Sequence, residues 1–242
     1  GFRAPSFNEL YYTYDNPGHG YTNRPNPNLE SEKSLSYELG YRHNTIASAS
    51  EIALYYSDYT DFIEQTSTRG GGFTEYTYVN ISEATIKGIE VSNTLDLNRI
   101  ANLPLGMTTR FVAAYTVGED GEGNPLNSVN PWNAVGAVNY DAPNNLWGTS
   151  IKVNYTAKKS NSNINLDGNN GGTVNQVELP SATVIDLTAY FKPTQDVTVR
   201  AGIMNLTNEK YYLWNDIRGE KELSRDLTQA ERNYNISVKY EF

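Results

Sequence analysis

Residues 180–205 read PSATVIDLTAYFKPTQDVTVRAGIMN, which is two alternating segments around a short turn. Apolar side chains stand at every second position of Ile185–Phe191 and again of Val197–Ile203, with Asp, Thr, Tyr, Arg or Gly between them. The connection Lys192–Asp196 contains a proline, a residue that favours turns. Because successive side chains of a strand point to opposite faces, this stretch predicts a β-hairpin with one oily face and one wet face.

The same alternation recurs along the chain and predicts nine strands. Several of them have 12 or more residues. Strands of soluble proteins usually have about five or six residues, whereas a tilted strand that crosses a membrane needs roughly 9–11. The predicted strands lie near 31–43, 46–64, 75–97, 105–117, 131–141, 146–158, 180–191, 197–205 and 230–242, and a further strand is expected through about Gly1–Pro5.

The connections alternate between short and long, as in outer-membrane barrels with short turns on one rim and long loops on the other. The short connections are His43–Thr45, Asn98–Pro104, Asp141–Asn145 and Lys192–Asp196. The long ones are Gln65–Thr74, Gly118–Asn130, Lys159–Glu178 and Leu206–Gln229, and Ser6–Glu30 falls on the same side. The charged segment Asn208–Gln229 is the best place for a short helix.

Composition excludes several classes of function. The chain has 242 residues with a formal net charge of −9, which argues against nucleic acid as a partner because phosphate binding needs a basic face. It has no cysteine, so disulfide scaffolds, iron–sulfur clusters and thiol nucleophiles are excluded. Its 19 tyrosines suit both an interface between oil and water and an ordinary β-sheet.

These observations predict an all-β fold, an antiparallel transmembrane β-barrel, formed by residues 1–242 as one domain. An open sheet of nine or ten strands would leave two unpaired edges in hydrocarbon, where no water can satisfy them. Bacterial single-chain barrels also have even strand numbers. We therefore expect this chain to be the C-terminal part, about ten strands, of a larger barrel.

Five short motifs resemble those of TonB-dependent outer-membrane receptors, in the same order along the chain. Two of them lie near the start: Phe2-Arg3-Ala4-Pro5 is similar to the FRAP box, and Asn26-Pro27-Asn28-Leu29 is similar to the NPNL box. The others are Ile86-Lys87-Gly88-Ile89-Glu90, Asn205-Leu206-Thr207-Asn208-Glu209-Lys210-Tyr211 and the terminal Tyr240-Glu241-Phe242.

The resemblance implies a barrel of about 22 strands with a plugged lumen, in the outer membrane of a Gram-negative bacterium. It implies a transport receptor, not an enzyme, with a plug and a TonB box that this chain lacks. The implied partners are the TonB complex, outer-membrane lipid and the barrel assembly machinery, which would recognise Phe242. Pro5, Pro27 and the asparagines of the NPNL box are expected to shape turns.

The FRAP and NPNL boxes flank His19, as in the heme and hemoglobin receptors of this family. Imidazole is a common axial ligand of heme iron, and a tyrosine such as Tyr21 can serve as well. Glycines at positions 18 and 20 would let the loop approach a flat porphyrin. The other interpretation of His19 is an exposed loop residue without a ligand. Arg3 is expected to face a heme propionate or, in a structural ion pair, a carboxylate.

We therefore expect TonB-dependent uptake of heme, either free or carried by hemoglobin or another host protein, with heme as cargo and no catalytic cofactor. A ferric-siderophore receptor keeps the same fold with another ligand. A passive porin-like channel and a soluble β-enzyme are the remaining alternatives.

Overall fold

The computed structural model describes residues 1–70, 73–166 and 176–242, and nearly all of its regular structure is one antiparallel sheet. Ten strands follow one another in the order β1-β4-β5-β6-β7-β8-β9-β10-β11-β12, and β2 and β3 form a small hairpin beside β6. Ten strands in the wall is the number that the alternation and the connections predicted. Within these residues the sheet does not close on itself, because β12 pairs only with β11.

The strand bounds agree with the predicted ones to within a few residues over most of the wall. They are β1 (Phe2–Arg3), β2 (Tyr14–Asn16), β3 (Tyr21–Asn23), β4 (Glu32–Asn44), β5 (Ser48–Gly70), β6 (Phe73–Asp96), β7 (Met107–Asp120), β8 (Asn133–Asp141), β9 (Trp147–Thr156), β10 (Ala182–Phe191), β11 (Val197–Met204) and β12 (Asn233–Tyr240).

The helices are short. They are α1 (Phe7–Tyr11), α2 (Leu97–Ala101) and α3 (Trp214–Ile217), with single 3-10 turns at Pro17–His19, Asn161–Asn163 and Arg225–Leu227. The prediction of a short helix within Asn208–Gln229 is confirmed by α3. In the parts of the chain that the structure describes, no helix has the length and apolar character needed to cross a membrane.

The two faces of the sheet differ as the alternation predicts. On β12, the apolar side chains from Tyr234 to Tyr240 are 55–75% exposed at every second position. The opposite face carries polar contacts between strands: Lys152 Nζ lies 2.9 Å from Asp186 Oδ2, and Asn154 Nδ2 donates to the same oxygen. An oily outer stripe and a hydrogen-bonded polar lining are the two surfaces that a barrel wall needs.

The prediction of a long connection at Gln65–Thr74 is wrong. The structure continues β5 to Gly70 and starts β6 at Phe73, and the two strands pair without a change of register up to Gly70 opposite Phe73. The physical reason is pairing between the two strands: Thr66 and Thr68 of β5, a residue type that favours strands, lie opposite Thr77 and Glu75 of β6. The other long connections are confirmed as loops, except that residues 167–175 of Lys159–Glu178 lie outside the described residues.

Two further expectations need correction. Ser6–Glu30 was expected to be one long loop, but it contains α1, β2 and β3, because Ser6 caps the helix and β3 finds a partner in β6. His43 was expected in a short turn, but β4 continues to Asn44, and the His43 ring stacks on Tyr41 at 6.5 Å between ring centroids.

The amino-terminal segment is fastened to the wall by one guanidinium group. Arg3 Nε and Nη2 donate to the two carboxylate oxygens of Glu32 at 2.7 and 3.2 Å, and Nη1 donates to Glu9 at 3.0 and 3.1 Å. Glu32 also accepts from the backbone N–H of Ile63, at 2.9 Å. We call Arg3, Glu9 and Glu32 the Arg3 clasp. It joins α1, β4 and β5, so the structural ion pair expected for Arg3 is the one observed.

A small apolar core lies in the loops, at the end of the sheet where the long connections meet; we call this the long-loop end. Leu179, Trp214 and Ile217 are at most 2% exposed and pack with Ile164. The indole N–H of Trp214 donates to the carbonyl of Asn127 at 2.6 Å. Segments 121–132, 157–166, 176–181 and 205–232 are thereby held together as one unit, the loop core.

Replacing the guanidinium should loosen the amino-terminal segment. We expect Arg3→Ala to reduce the free energy of unfolding by about 1.5–3 kcal/mol, because the largely buried carboxylates of Glu9 and Glu32 would lose their charged hydrogen-bond donor. Arg3→Lys should cost less, since it keeps the charge but loses the bidentate geometry. The midpoint of thermal unfolding of the receptor in detergent measures both effects.

The control is Arg99→Ala, which breaks the exposed pair with Asp96 at 3.0 Å. We expect it to cost less than about 1 kcal/mol. Equal midpoints for Arg3→Ala and Arg99→Ala would contradict the assigned role of the clasp.

Removing the central side chain of the loop core should open the loops without unfolding the wall. We expect Trp214→Ala to cost about 3–5 kcal/mol of local stability, seen as faster hydrogen exchange in 157–166 and 205–232 with β9 to β12 still protected. Trp147→Ala is the control, because Trp147 is 45% exposed and lies at the end of β9 away from the loop core. If both variants exchange alike, the loops do not depend on this core.

Candidate functional site

A small sheet projects beyond the wall at the long-loop end and carries His19 and Tyr21, the two residues predicted to bind heme iron. It consists of residues 14–23, 62–70 and 73–81, and we call it the flap. Its strands lie in the order β5-β6-β3-β2, with β3 parallel to β6. Nine residues of β5 beyond Asp61 reach about 30 Å at the rise of an extended strand.

Asp61 marks the point where the flap leaves the wall. Its φ is +58. Thr60 pairs with Glu83 and Phe62 pairs with Ile81, but Asp61 between them has no partner residue in β6. Aspartate tolerates this left-handed conformation better than most residues. The carbonyl of Asp61 accepts from Asn80 Nδ2 at 2.6 Å, which holds the break in place.

His19 lies at the tip of the hairpin between β2 and β3. It ends the 3-10 turn Pro17–His19, and its side chain is exposed. Gly20, which follows, has φ +69, a conformation in which a residue with a Cβ is strained. The ring Nδ1 lies 3.1 Å from Asn16 Oδ1. With Nδ1 donating to that oxygen, Nε2 keeps the lone pair that coordinates a metal.

Tyr21 does not stand free beside His19. Its ring is the third of four that run across the flap, with centroid distances of 6.3 Å from Tyr12 to Tyr14, 6.0 Å from Tyr14 to Tyr21 and 6.0 Å from Tyr21 to Tyr76. We call these four residues the tyrosine ladder. Tyr12 and Tyr14 are 46% and 43% exposed, and Tyr21 and Tyr76 are half-buried.

The NPNL box attaches the flap to the segment that carries the Arg3 clasp. Asn26 donates from its backbone to Glu9 O at 2.9 Å and from its side chain to Tyr78 O at 3.0 Å. Its side-chain oxygen also accepts from the N–H of Asn28, a turn of the kind expected for this box. Leu29 is buried, whereas Pro27 is exposed.

The remaining motif residues lie at the ends of the chain. Phe2 is exposed next to Arg3 in β1, Ala4 is exposed, and Pro5 is half-buried just before the serine that caps α1. Phe242 is exposed, and its ring lies edge-on to Tyr240 at 4.9 Å. Neither box therefore surrounds His19 directly; the boxes hold the segment on which it is displayed.

A cavity of about 120 Å³ lies between the flap and the loop core. Its lining includes Tyr76, the inner end of the tyrosine ladder, and Arg218, whose Nη2 donates to Gln65 Oε1 at 2.9 Å. Gly219 packs directly against the Tyr76 ring, since a Cβ at position 219 would lie only 2.6 Å from Tyr76 Cε1. The ladder therefore runs from the open surface to the edge of this cavity.

Three charged groups meet beside the cavity. Burial raises the pKa of the Glu64 carboxyl, and the Arg218 guanidinium, 3.9 Å away, only partly opposes this. Neither oxygen of Glu64 accepts a hydrogen bond from the residues that the structure describes. Burial also lowers the pKa of Lys159 to about 8, where its ammonium contacts the carbonyls of Leu126 and Val129.

Sequence reasoning did not find the inner part of this site. Tyr76, Glu64, Lys159 and Arg218 come from four separate segments of the chain, and no spacing or motif links them. Only Tyr76 carried a weak signal, as one of two tyrosines at alternate positions of β6. Among residues 1–70, 73–166 and 176–242, no group of three or more His, Asp or Glu side chains is arranged to hold a metal ion.

One family model and several known proteins match this chain. Residues 1–206 match the family model described as TonB dependent receptor-like, beta-barrel. The chain is 30% identical, over its whole length, to hemoglobin-haptoglobin utilization protein B of Neisseria meningitidis serogroup A. It is 28% identical, again over its whole length, to hemoglobin-binding protein A of Haemophilus influenzae. It spans 34% and 27% of the lengths of these two relatives.

Solved structures show the same fold at lower sequence identity. Copper transporter OprC superposes with a TM-score of 0.79 at 19% identity, covering 100% of this chain and 37% of that one. A mutant of the ferric enterobactin receptor PfeA of Pseudomonas aeruginosa superposes with a TM-score of 0.69 at 18% identity, covering 91% and 32%. The antiparallel wall, the motifs and the family match agree, and this chain belongs to the TonB-dependent receptor β-barrel family.

Proposed function

We propose that residues 1–242 form the C-terminal part of the barrel of an outer-membrane receptor that imports heme, taken from hemoglobin or a similar host protein, in a Gram-negative bacterium. The names of the relatives support a hemoglobin-linked ligand. The chain spans about a third of their length, so the plug and the TonB-contacting region belong to the remainder of the receptor.

The observation that carries this proposal is the position of His19. It is exposed at the tip of a hairpin, on the flap, with Nδ1 against Asn16 and Nε2 free to bind iron. The chain has only two histidines, and the other, His43, lies at the opposite end of β4. His19 is therefore the axial ligand that we assign to heme iron, with the Tyr21 hydroxyl as the second candidate.

Membership of the TonB-dependent receptor family supports the rest of the proposed cycle. A barrel wall carries no source of energy, so capture at the loops must be coupled to the TonB complex, which acts on the plug. The wall contacts outer-membrane lipid through its oily stripe. Phe242, exposed at the end of the chain, is assigned to recognition by the barrel assembly machinery. Heme is cargo in this scheme, and the chain performs transport without a catalytic cofactor.

Titration of the complete receptor with hemin tests the ligand. We expect the Soret band to shift on binding. His19→Ala should weaken hemin binding by at least about tenfold, because even the loss of a group that only hydrogen-bonds to a metal ligand lowers metal affinity by that much. His43→Ala is the matched control and should bind like the wild type. Tyr21→Phe, which keeps the ring and removes the hydroxyl, tests the second candidate.

If hemin leaves the Soret band unchanged and the receptor binds a ferric siderophore, then the ligand is the siderophore and not heme. Steady ionic conductance through the complete receptor would favour the porin-like alternative. If His19→Ala and His43→Ala both match the wild type while hemin still binds, the iron ligand is elsewhere.

A further inference from the structure

The tyrosine ladder has the properties of a protein-binding surface. Its outer rings, Tyr12 and Tyr14, lie stacked at an interplanar angle of 7° and stay nearly half exposed. Tyrosine is enriched among the residues that carry binding energy at protein interfaces, because it offers a large amphipathic contact area and loses little conformational entropy. Four neighbouring rings on one projecting sheet form such an area.

The backbone beneath the ladder is fixed before any partner arrives. Thr74 N–H donates to Gly20 O and Arg24 N–H to Tyr76 O, each at 2.8 Å, so β3 is bonded to β6 at both ends. Thr22, which is 8% exposed, donates from its hydroxyl to Tyr14 O at 3.2 Å. A preorganised surface loses less entropy on binding than a loose loop does.

The charge of the chain is concentrated at the same end. Of the net charge of −9, −8 falls within residues 6–31, 61–82, 118–132, 157–181 and 205–232, the segments that form or join the long-loop end. Beside the ladder, Asp15 and Glu75 share a single cation, Arg24, at 2.8 and 3.7 Å. An acidic surface of this kind attracts basic surfaces and speeds their association at low ionic strength.

The geometry favours an extended partner over a small molecule. Pockets for drug-sized ligands usually enclose roughly 300–1,000 Å³, whereas the cavity at the inner end of the ladder has about 120 Å³. The exposed rings of Tyr12 and Tyr14 lie outside that cavity, on the open face of β2 and the segment before it. Contact there requires a surface that covers several side chains at once.

We propose that the tyrosine ladder is the docking face for a folded protein that presents basic side chains around an apolar contact. This inference rests on the proposed function, which makes that protein the carrier of heme. It assigns to the ladder a task different from that of His19: the ladder holds the carrier, and His19 receives the iron. Removing one of the two outer ladder rings, Tyr12 or Tyr14, should therefore affect the carrier and spare free hemin.

Binding of hemoglobin and of hemin to the complete receptor, measured side by side, separates these tasks. We expect Tyr12→Ala to weaken hemoglobin binding by about tenfold or more with hemin binding unchanged, and Tyr12→Phe to restore it. The control is Tyr11→Ala, since Tyr11 is 60% exposed but packs on Phe7 in α1, outside the ladder. Glu75→Gln should lower the association rate and its sensitivity to salt, because Glu75 is half exposed beside the ladder.

Each outcome decides the proposal. Hemoglobin binding that Tyr12→Ala leaves intact, or that Tyr11→Ala weakens equally, overturns it. A receptor that binds hemin but not hemoglobin also overturns it, and leaves the proposed heme function standing. Loss of hemoglobin binding in Tyr12→Ala, in a receptor that never shifts the hemin spectrum, supports the docking face and refutes heme ligation by this receptor.

Discussion

The rest of this structure depends on one constraint, the backbone hydrogen bonding that joins each strand to the next from β4 to β12. From β5 to β11 each strand pairs with the strands before and after it in the chain, so the backbone between the two edges of the sheet is satisfied without help from either face. The two faces are then free to differ. One carries exposed apolar side chains such as Ile236, and the other carries polar contacts such as Lys152 with Asp186. A wall of this kind can separate lipid from a wet interior.

The parts beyond the wall are loops that a few contacts hold against the sheet. Arg3 ties the first residues to β4 and α1, the NPNL box ties the following segment to β6, and Trp214 gathers the later loops around a small apolar core. None of these contacts is large, but the Arg3 pair with Glu32 is bidentate, the Asn26 side chain donates to a backbone carbonyl of β6, and Trp214 is buried. Together they hold the hairpin that displays His19 and the tyrosines against strands that cannot shift in register.

The sequence predictions were accurate where the structure depends on neighbouring residues and less accurate where it depends on contacts between distant segments. Alternation over β9 to β12 predicted those strands to within a few residues, because the side-chain period of a strand is a local property. The error at Gln65–Thr74 has the opposite origin. The glycines of this segment suggested a loop, its threonines suit a strand, and pairing between β5 and β6 decided in favour of the strand. Likewise, the role expected for Arg3 was open until Glu9 and Glu32 were seen on either side of it.

The sequence by itself therefore determined the wall, its two faces and the end at which the long loops gather, since all three follow from periodicity and from the lengths of the connections. It also singled out His19, because histidine is rare here and lies between two recognisable boxes. Only the tertiary structure decided that β3 pairs in parallel with β6 and that four tyrosines form one ladder. Only it showed that Glu64, Lys159 and Arg218 meet beside a cavity. These residues are far apart in the chain, and contacts between distant segments leave no local pattern from which they can be predicted.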